Sequence, residues 1–147
     1  MTSEFTVAVH ALVFLNHRQS TQSSEAVAEN VCTNPARVRK VLSCLKKAGL
    51  VETKEGIDGG YHFTGNAEAV SLRMVADALN AAFVSASWRS GNPDMDCLIA
   101  SGMDGVMSSI YRELDESCRV RLEQISIADI DRQIFTGKCA EQRRADA

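Results

Sequence analysis

At 147 residues and 16.0 kDa, the chain has the size of one domain, or of a small domain with an appendage. With 45% hydrophobic and 24% charged residues, it can bury a core without disulfide staples and does not read as disordered. A net charge of -3 excludes a uniformly basic nucleic-acid coat, and no apolar run reaches the roughly 18 residues of a membrane span.

The first predicted helix places Phe5, Ala8, Val9, Leu12 and Leu15 on one face at helical spacing and ends near His17. It has no basic leader, so it does not read as a signal peptide, and the expected compartment is the cytoplasm. A short second helix follows, capped by Ser23 or Ser24, with Ala26, Val27 and Val31 inward. The third helix opens on Asn34 as N-cap and Pro35 as first helical residue, and stops at Gly49. Val38, Val41, Leu42 and Leu45 form its apolar stripe. The other side carries Ala36, Arg39, Lys40, Ser43 and Lys47, with Arg37 and Cys44 at one edge. No acid interrupts residues 34–49.

Two short strands, 50–55 and 61–64, flank a turn containing Asp58-Gly59, a hairpin signal. Tyr61 and His62 fall on opposite faces. Helix, short helix, basic helix and hairpin is the order of a winged helix-turn-helix. A fourth helix is predicted over 71–83. The Ser/Gly/Asn/Pro cluster of 85–96 reads as a linker. A long helix is predicted over 104–124, with Met103, Met107, Ile110, Leu114, Cys118, Leu122 and Ile125 near heptad spacing. Ser126-x-x-Asp129 resembles a capping box for a last helix over 127–135, stopped by Gly137, before a charged tail.

The expected fold is therefore mainly α: a winged helix-turn-helix domain (1–84), a linker or sensor loop (85–103), dimerisation helices (104–137) and a tail (138–147). Charge divides the same way. Residues 1–64 carry seven Lys/Arg against six Asp/Glu, and residues 65–147 carry nine against thirteen.

Five cysteines, an odd number at irregular spacings, argue against a secreted disulfide framework. They leave packed thiols, a sensor thiol or metal ligands. Cys32 and Cys118 read as core, Cys44 as the edge of the basic face, and Cys139 as tail. His10 and His17 complete no metal set. No glycine-rich loop opens a helix and no Ser/His/Asp set has context, so no enzyme is predicted.

The segment Pro35-x-Arg37-Val38-Arg39-Lys40-Val41-Leu42-Ser43-x-Leu45-x-Lys47-Ala48-Gly49-Leu50-Val51, with Gly56-x-x-Gly59-Gly60-Tyr61 and Val70-Ser71-Leu72, resembles the Rrf-type winged-helix transcriptional regulators over roughly residues 1–80. The second half is similar to the cluster-free, YwnA-like branch. The resemblance implies a homodimeric, sequence-specific DNA-binding protein, a repressor acting on a roughly palindromic double-stranded operator. Ala36, Arg37, Arg39 and Lys40 are the candidates for base contact, Ser43 and Lys47 for phosphates, and Gly59 and Gly60 for the wing. Met107, Ile110, Leu114, Cys118, Leu122 and Ile125 are the expected dimer interface.

Two departures stand out. Glu55 precedes Gly56 where many members carry Arg. Cluster-binding members place three cysteines in one loop. Here Cys97 takes the first place, but the later places fall on Met103 and Ser109, so no iron–sulfur cofactor is expected. Cys97 is instead the candidate sensor thiol. Asp94 and Asp96 would raise its pKa, and a helix beginning near it would lower it. The rival reading is a winged-helix interaction adaptor that binds no DNA. The run of five cations argues against it.

Overall fold

The computed structural model describes the backbone of residues 2–145 and the side chains of residues 3–137. Its elements are α1 (Thr2–Arg18), α2 (Ser24–Val31), α3 (Pro35–Lys47), β1 (Val51–Lys54), β2 (Gly60–Phe63), α4 (Leu72–Ala78), α5 (Leu98–Leu122) and α6 (Ile127–Ala145). The two strands pair antiparallel, with Val51 opposite Phe63 and Lys54 opposite Gly60. This is the predicted winged helix-turn-helix followed by a long helix. Among the described residues no helix is long and apolar enough to cross a membrane.

The core follows the helical periodicities. Ala8, Leu12 and Leu15 of α1 meet Val27 of α2 and Val38, Val41, Leu42 and Leu45 of α3. Val51, Val70, Leu72 and Val75 close it from the wing and α4. Caps fix where the helices start. Ser23 Oγ accepts from the Ala26 amide, Asn34 Oδ1 from the Arg37 amide at 2.8 Å, and Ser71 Oγ from the Met74 amide. At the end of α3, Gly49 takes φ +78. Its amide donates to the Lys46 carbonyl, and that of Leu50 to the Leu45 carbonyl. A left-handed glycine thus satisfies two terminal carbonyls and turns the chain into the wing.

The second half of the chain enters this same core. Ile127 is fully buried within it, and Leu122, Ile125 and Ile130 pack against it. The Leu72 amide donates to the Ile125 carbonyl, and the Ile127 amide to the Val70 carbonyl. The capping box forms as expected: the Ser126 amide donates to Asp129, and the Asp129 amide to Ser126 Oγ. The last helix therefore starts inside the winged-helix core, not in a separate dimerisation unit.

Several boundaries differ from the sequence expectation. α4 ends at Ala78, because Asn80 adopts a left-handed φ of +50. Beyond it, side chains of α5 replace the helical hydrogen bonds. Asp115 Oδ1 accepts from the amides of Phe83 and Val84 at 2.7 and 3.0 Å, and Arg119 donates to the Ala81 carbonyl. α5 begins at Leu98, six residues before the expected start, so residues 98–103 belong to the helix and not to the linker. α6 passes through Gly137 and reaches Ala145. A lone glycine costs a helix only about 1 kcal/mol, too little to end it. Cys32, expected in the core, is exposed. It caps α2 at φ +63, a left-handed residue that turns its side chain out of the helix stripe. Cys118 is half-buried. Cys139 lies outside the residues whose side chains are described.

The wing is tied to the loop before α2 by paired hydrogen bonds between Gln22 and Tyr61, at 2.9 and 2.8 Å. Gly60, at φ +152, makes this approach possible, because a Cβ there would overlap the Gln22 carbonyl. Gly60→Ala is expected to destabilise the protein by about 1–3 kcal/mol, the range for strained backbone. Urea unfolding measures the change. An unchanged midpoint would show that the wing is not held by this contact.

Candidate nucleic-acid interface

The solvent face of α3 is where the candidate DNA contacts gather. Ala36, Lys40, Ser43 and Lys47 are exposed, without a partner for either lysine among the described residues. Arg39 is exposed and reaches back to α2, 3.3 Å from Ser24 Oγ and 3.5 Å from Glu25. Those contacts lie at the surface and are weak, so they leave the guanidinium free to exchange partners. Arg37 is placed differently. It is half-buried and pairs with Glu4 of α1 at 2.9 Å, which makes it a clip between α1 and α3. The face is therefore narrower than its charges suggest: Lys40 and Lys47 at its centre and Arg39 on its flank.

Lys46, one of the five cations of residues 34–49 but not among the expected DNA contacts, donates to Thr53 Oγ1 at 3.0 Å and fixes the wing against α3. No spacing rule exposes such a contact, because it spans the turn between a helix and a strand. The wing itself is acidic at its end, with Glu55 and Asp58 exposed beside a fully exposed Ile57. Glu52 faces His62 at 3.4 Å. Gly59 and Gly60 are only partly exposed. Each allows close backbone packing, since a Cβ on Gly59 would overlap the Lys54 carbonyl.

α5 is a 25-residue helix with no buried residue. Ile99, Met103, Val106, Ile110 and Leu114 form an exposed apolar stripe along it, with Ile110 42% and Leu114 48% exposed. The expected seam shares its first part and then leaves it. From Ile110 it advances by four residues to Leu114, to Cys118 and to Leu122, and each such step overshoots a turn by about 40°. Cys118 is thereby half-buried, and Leu122 and Ile125 pack into the protomer's own core. Met107 sits half-buried at the edge of the stripe.

The inward face of α5 is held by charge. Arg73 of α4 pairs with Glu116 at 2.9 Å and Glu123 at 3.4 Å. Arg119 pairs with Asp77 and, at 3.2 Å, with Asp115. The Val84 amide first, then the Phe83 amide and Arg119, hold the Asp115 carboxyl below the ordinary carboxylate range, against the opposing effect of burial.

Cys97 is exposed and occupies the N-cap of α5. Its sulfur makes no capping hydrogen bond of ordinary geometry, but it faces the first amides of the helix. The Ala100 and Ile99 N–H groups hold its pKa below the usual thiol value. Burial is the effect that opposes them, and the lowering follows the direction expected of a helix start. The loop before it folds back on the helix, with the Asn92 amide donating to the Ala100 carbonyl at 3.0 Å.

The described cysteines are spread over α2, α3 and α5. Cys32 caps α2, Cys44 lies on α3, Cys97 starts α5 and Cys118 lies within α5. Among the described residues no three His, Cys, Asp or Glu side chains converge on a point that could hold a metal ion. A protein-held iron–sulfur cluster ordinarily takes four ligands, mainly thiolates, and this donor set does not fit one.

The Rrf2 family, described as iron-dependent transcriptional regulators, matches residues 1–133. YwnA of Bacillus subtilis (strain 168), named as an HTH-type transcriptional regulator, is 24% identical over 135 residues, covering 92% of this chain and 99% of that protein. A Lactobacillus plantarum protein described as a transcriptional regulator is 25% identical, with a TM-score of 0.80 over 99% of both chains. CymR, the global cysteine regulator of B. subtilis, shares the fold at 16% identity and a TM-score of 0.61, over 89% of this chain and 95% of that one. The winged-helix core, the long helix after it and a family match spanning nearly the whole chain place the protein in the Rrf2 family of transcriptional regulators.

Proposed function

We propose that the protein is a cytoplasmic, homodimeric repressor without enzymatic activity or a cluster cofactor. It reads a roughly palindromic double-stranded operator with α3. The observation that carries this reading is the solvent face of α3, where Lys40 and Lys47 are exposed and have no partner among the described residues, Arg39 is loosely held and no acid intervenes. Recognition helices of helix-turn-helix proteins enter the major groove with such a face. An interaction adaptor without DNA has no need of it. A gel-shift titration against the promoter region of the chain's own gene tests the proposal. Saturable binding that survives unspecific competitor DNA is the expected result. Equal affinity for random DNA would remove sequence-specific recognition.

Thiol chemistry at Cys97 is the switch we favour, supported by its exposure and its amide-lowered pKa. A more populated thiolate reacts faster with peroxide, giving a sulfenic acid. The modified sulfur sits where the 91–97 loop meets the long helix. Under mild peroxide the wild type is expected to lose operator affinity while Cys97→Ser keeps it. Equal loss in both would eliminate Cys97 and turn attention to Cys44, half-buried beside the basic face.

A further inference from the structure

A cavity of 270 Å³ lies where the segment after α4 crosses the middle of α5. Val84, Ser85 and Ala86 form one wall, and Ser108, Tyr111 and Asp115 form the other. Arg89 and Arg112 stand at its rim. DNA recognition by α3 does not use any of these groups.

Most of the polar groups here are already committed. Asp115 accepts from two backbone amides and from Arg119. Asp104, across the helix turn, takes the Ser108 hydroxyl at 3.5 Å. The guanidinium groups are not committed in the same way. Arg112 has no hydrogen bond or ion pair among the described residues. Arg89 is 81% exposed, and its only charge contact among the described residues is Asp104 at 3.8 Å, beyond hydrogen-bond distance. The Tyr111 hydroxyl is likewise unpaired among the described residues. Two guanidinium forks beside a partly apolar wall, one without a partner among the described residues and one only loosely paired with Asp104, are suited to a carboxylate, which Arg binds in a bidentate, charge-assisted geometry. Ser108, Tyr111 and Asp115 lie on the side of α5 roughly opposite the exposed Ile99–Leu114 stripe. Pairing of two chains through that stripe would leave the cavity open.

We propose that this cavity binds a small organic anion, with its carboxylate on Arg89 and Arg112 and a compact apolar body against Val84 and Ala86. A sterically modest monocarboxylate fits this description. An extended polyanion such as nucleic acid does not, because the lining includes Val84, Ala86 and the Asp115 carboxylate as well as the two arginines.

The protein supplies its own reporter. Trp88, the single tryptophan of the chain, is exposed and adjoins Arg89. Titration of the full chain with benzoate, followed by Trp88 emission and by calorimetry, is expected to saturate at one ligand per chain. Benzyl alcohol, of similar shape without the charge, and inorganic phosphate, charged without the apolar body, are each expected to bind at least about tenfold more weakly. Arg112→Ala should weaken benzoate roughly tenfold, and Arg112→Lys should recover part of that loss. Arg112 is exposed, so both variants are expected to keep the wild-type circular dichroism. Three results would each overturn the site: no benzoate binding to the wild type at ten-millimolar ligand (on the order of the weakest useful effector affinity), equal binding of phosphate or benzyl alcohol, or undiminished binding in Arg112→Ala.

Discussion

Ile110→Asp combined with Leu114→Asp is expected to give a folded monomer that binds its operator roughly a hundredfold to ten-thousandfold more weakly than the wild type. Both side chains are large, apolar and nearly half exposed on α5. They belong to a stripe with Ile99, Met103 and Val106 that is left exposed among the described residues. Contiguous apolar stripes of this kind mark interaction surfaces, and a second copy meeting it about a two-fold axis would bury it symmetrically. The loss in DNA affinity comes from losing the second half-site. Joining two recognition helices makes the second binding event intramolecular, and avidity gains of about 10²–10⁴ follow without new contacts. The fold should survive, because the core of α1, α2, α3 and the wing includes neither residue. Sedimentation velocity, circular dichroism and gel shift on the same samples separate the effects. Wild-type protein sedimenting as a monomer at micromolar concentration would refute the dimer.

Arg39→Ala with Lys40→Ala is expected to weaken operator binding roughly tenfold to several-hundredfold. Each good side-chain contact to a base edge contributes about 1–3 kcal/mol of discrimination. Lys47→Ala should act differently, lowering affinity for all sequences alike and reducing the salt slope by about one, as loss of a phosphate contact does. Arg37→Ala provides the contrast. Its guanidinium is engaged by Glu4, so the variant is expected to lower the melting temperature more than it lowers specificity. If Arg39→Ala/Lys40→Ala leaves affinity unchanged while Arg37→Ala abolishes it, the reading surface lies on the α1 side of the helix. The acidic end of the wing sharpens this dependence. Glu55 and Asp58 bring no cation to the phosphates, and Lys54 is the one exposed Lys or Arg of the wing.

Much of the architecture was legible because its signals are local. Asn34-Pro35 and Gly49 bound α3 through cap chemistry that needs only neighbouring residues. The Asp58-Gly59 turn similarly required a hairpin, and Ser126-x-x-Asp129 a helix start. Such motifs satisfy their own backbone groups, so no distant contact can easily override them. The boundaries that moved are those where distant groups supply the hydrogen bonds. α4 stops early because Asp115 and Arg119, more than thirty residues away, take over the amides and the carbonyl of 81–84. α5 starts early at Leu98, where the preceding loop folds back onto Ala100. Neither contact leaves a pattern in the sequence.

The candidate site divides along the same line. The sequence by itself determined which helix carries the cations and that no acid interrupts them, because periodicity of about 100° per residue assigns each side chain to a face. Only the tertiary structure decided which cations are free. Glu4 of α1 engages Arg37, Ser24 and Glu25 of α2 hold Arg39 loosely, and Lys40 and Lys47 have no partner among the described residues. The long helix gives the parallel case. Its apolar spacing was visible, but which part faces outward depended on where α5 meets the core, and that docking turned Leu122 and Ile125 inward. Periodicity fixes positions around a helix axis. What lies across from them depends on residues far away in the chain, and it is that long-range packing which separates a buried side chain from one available to a partner.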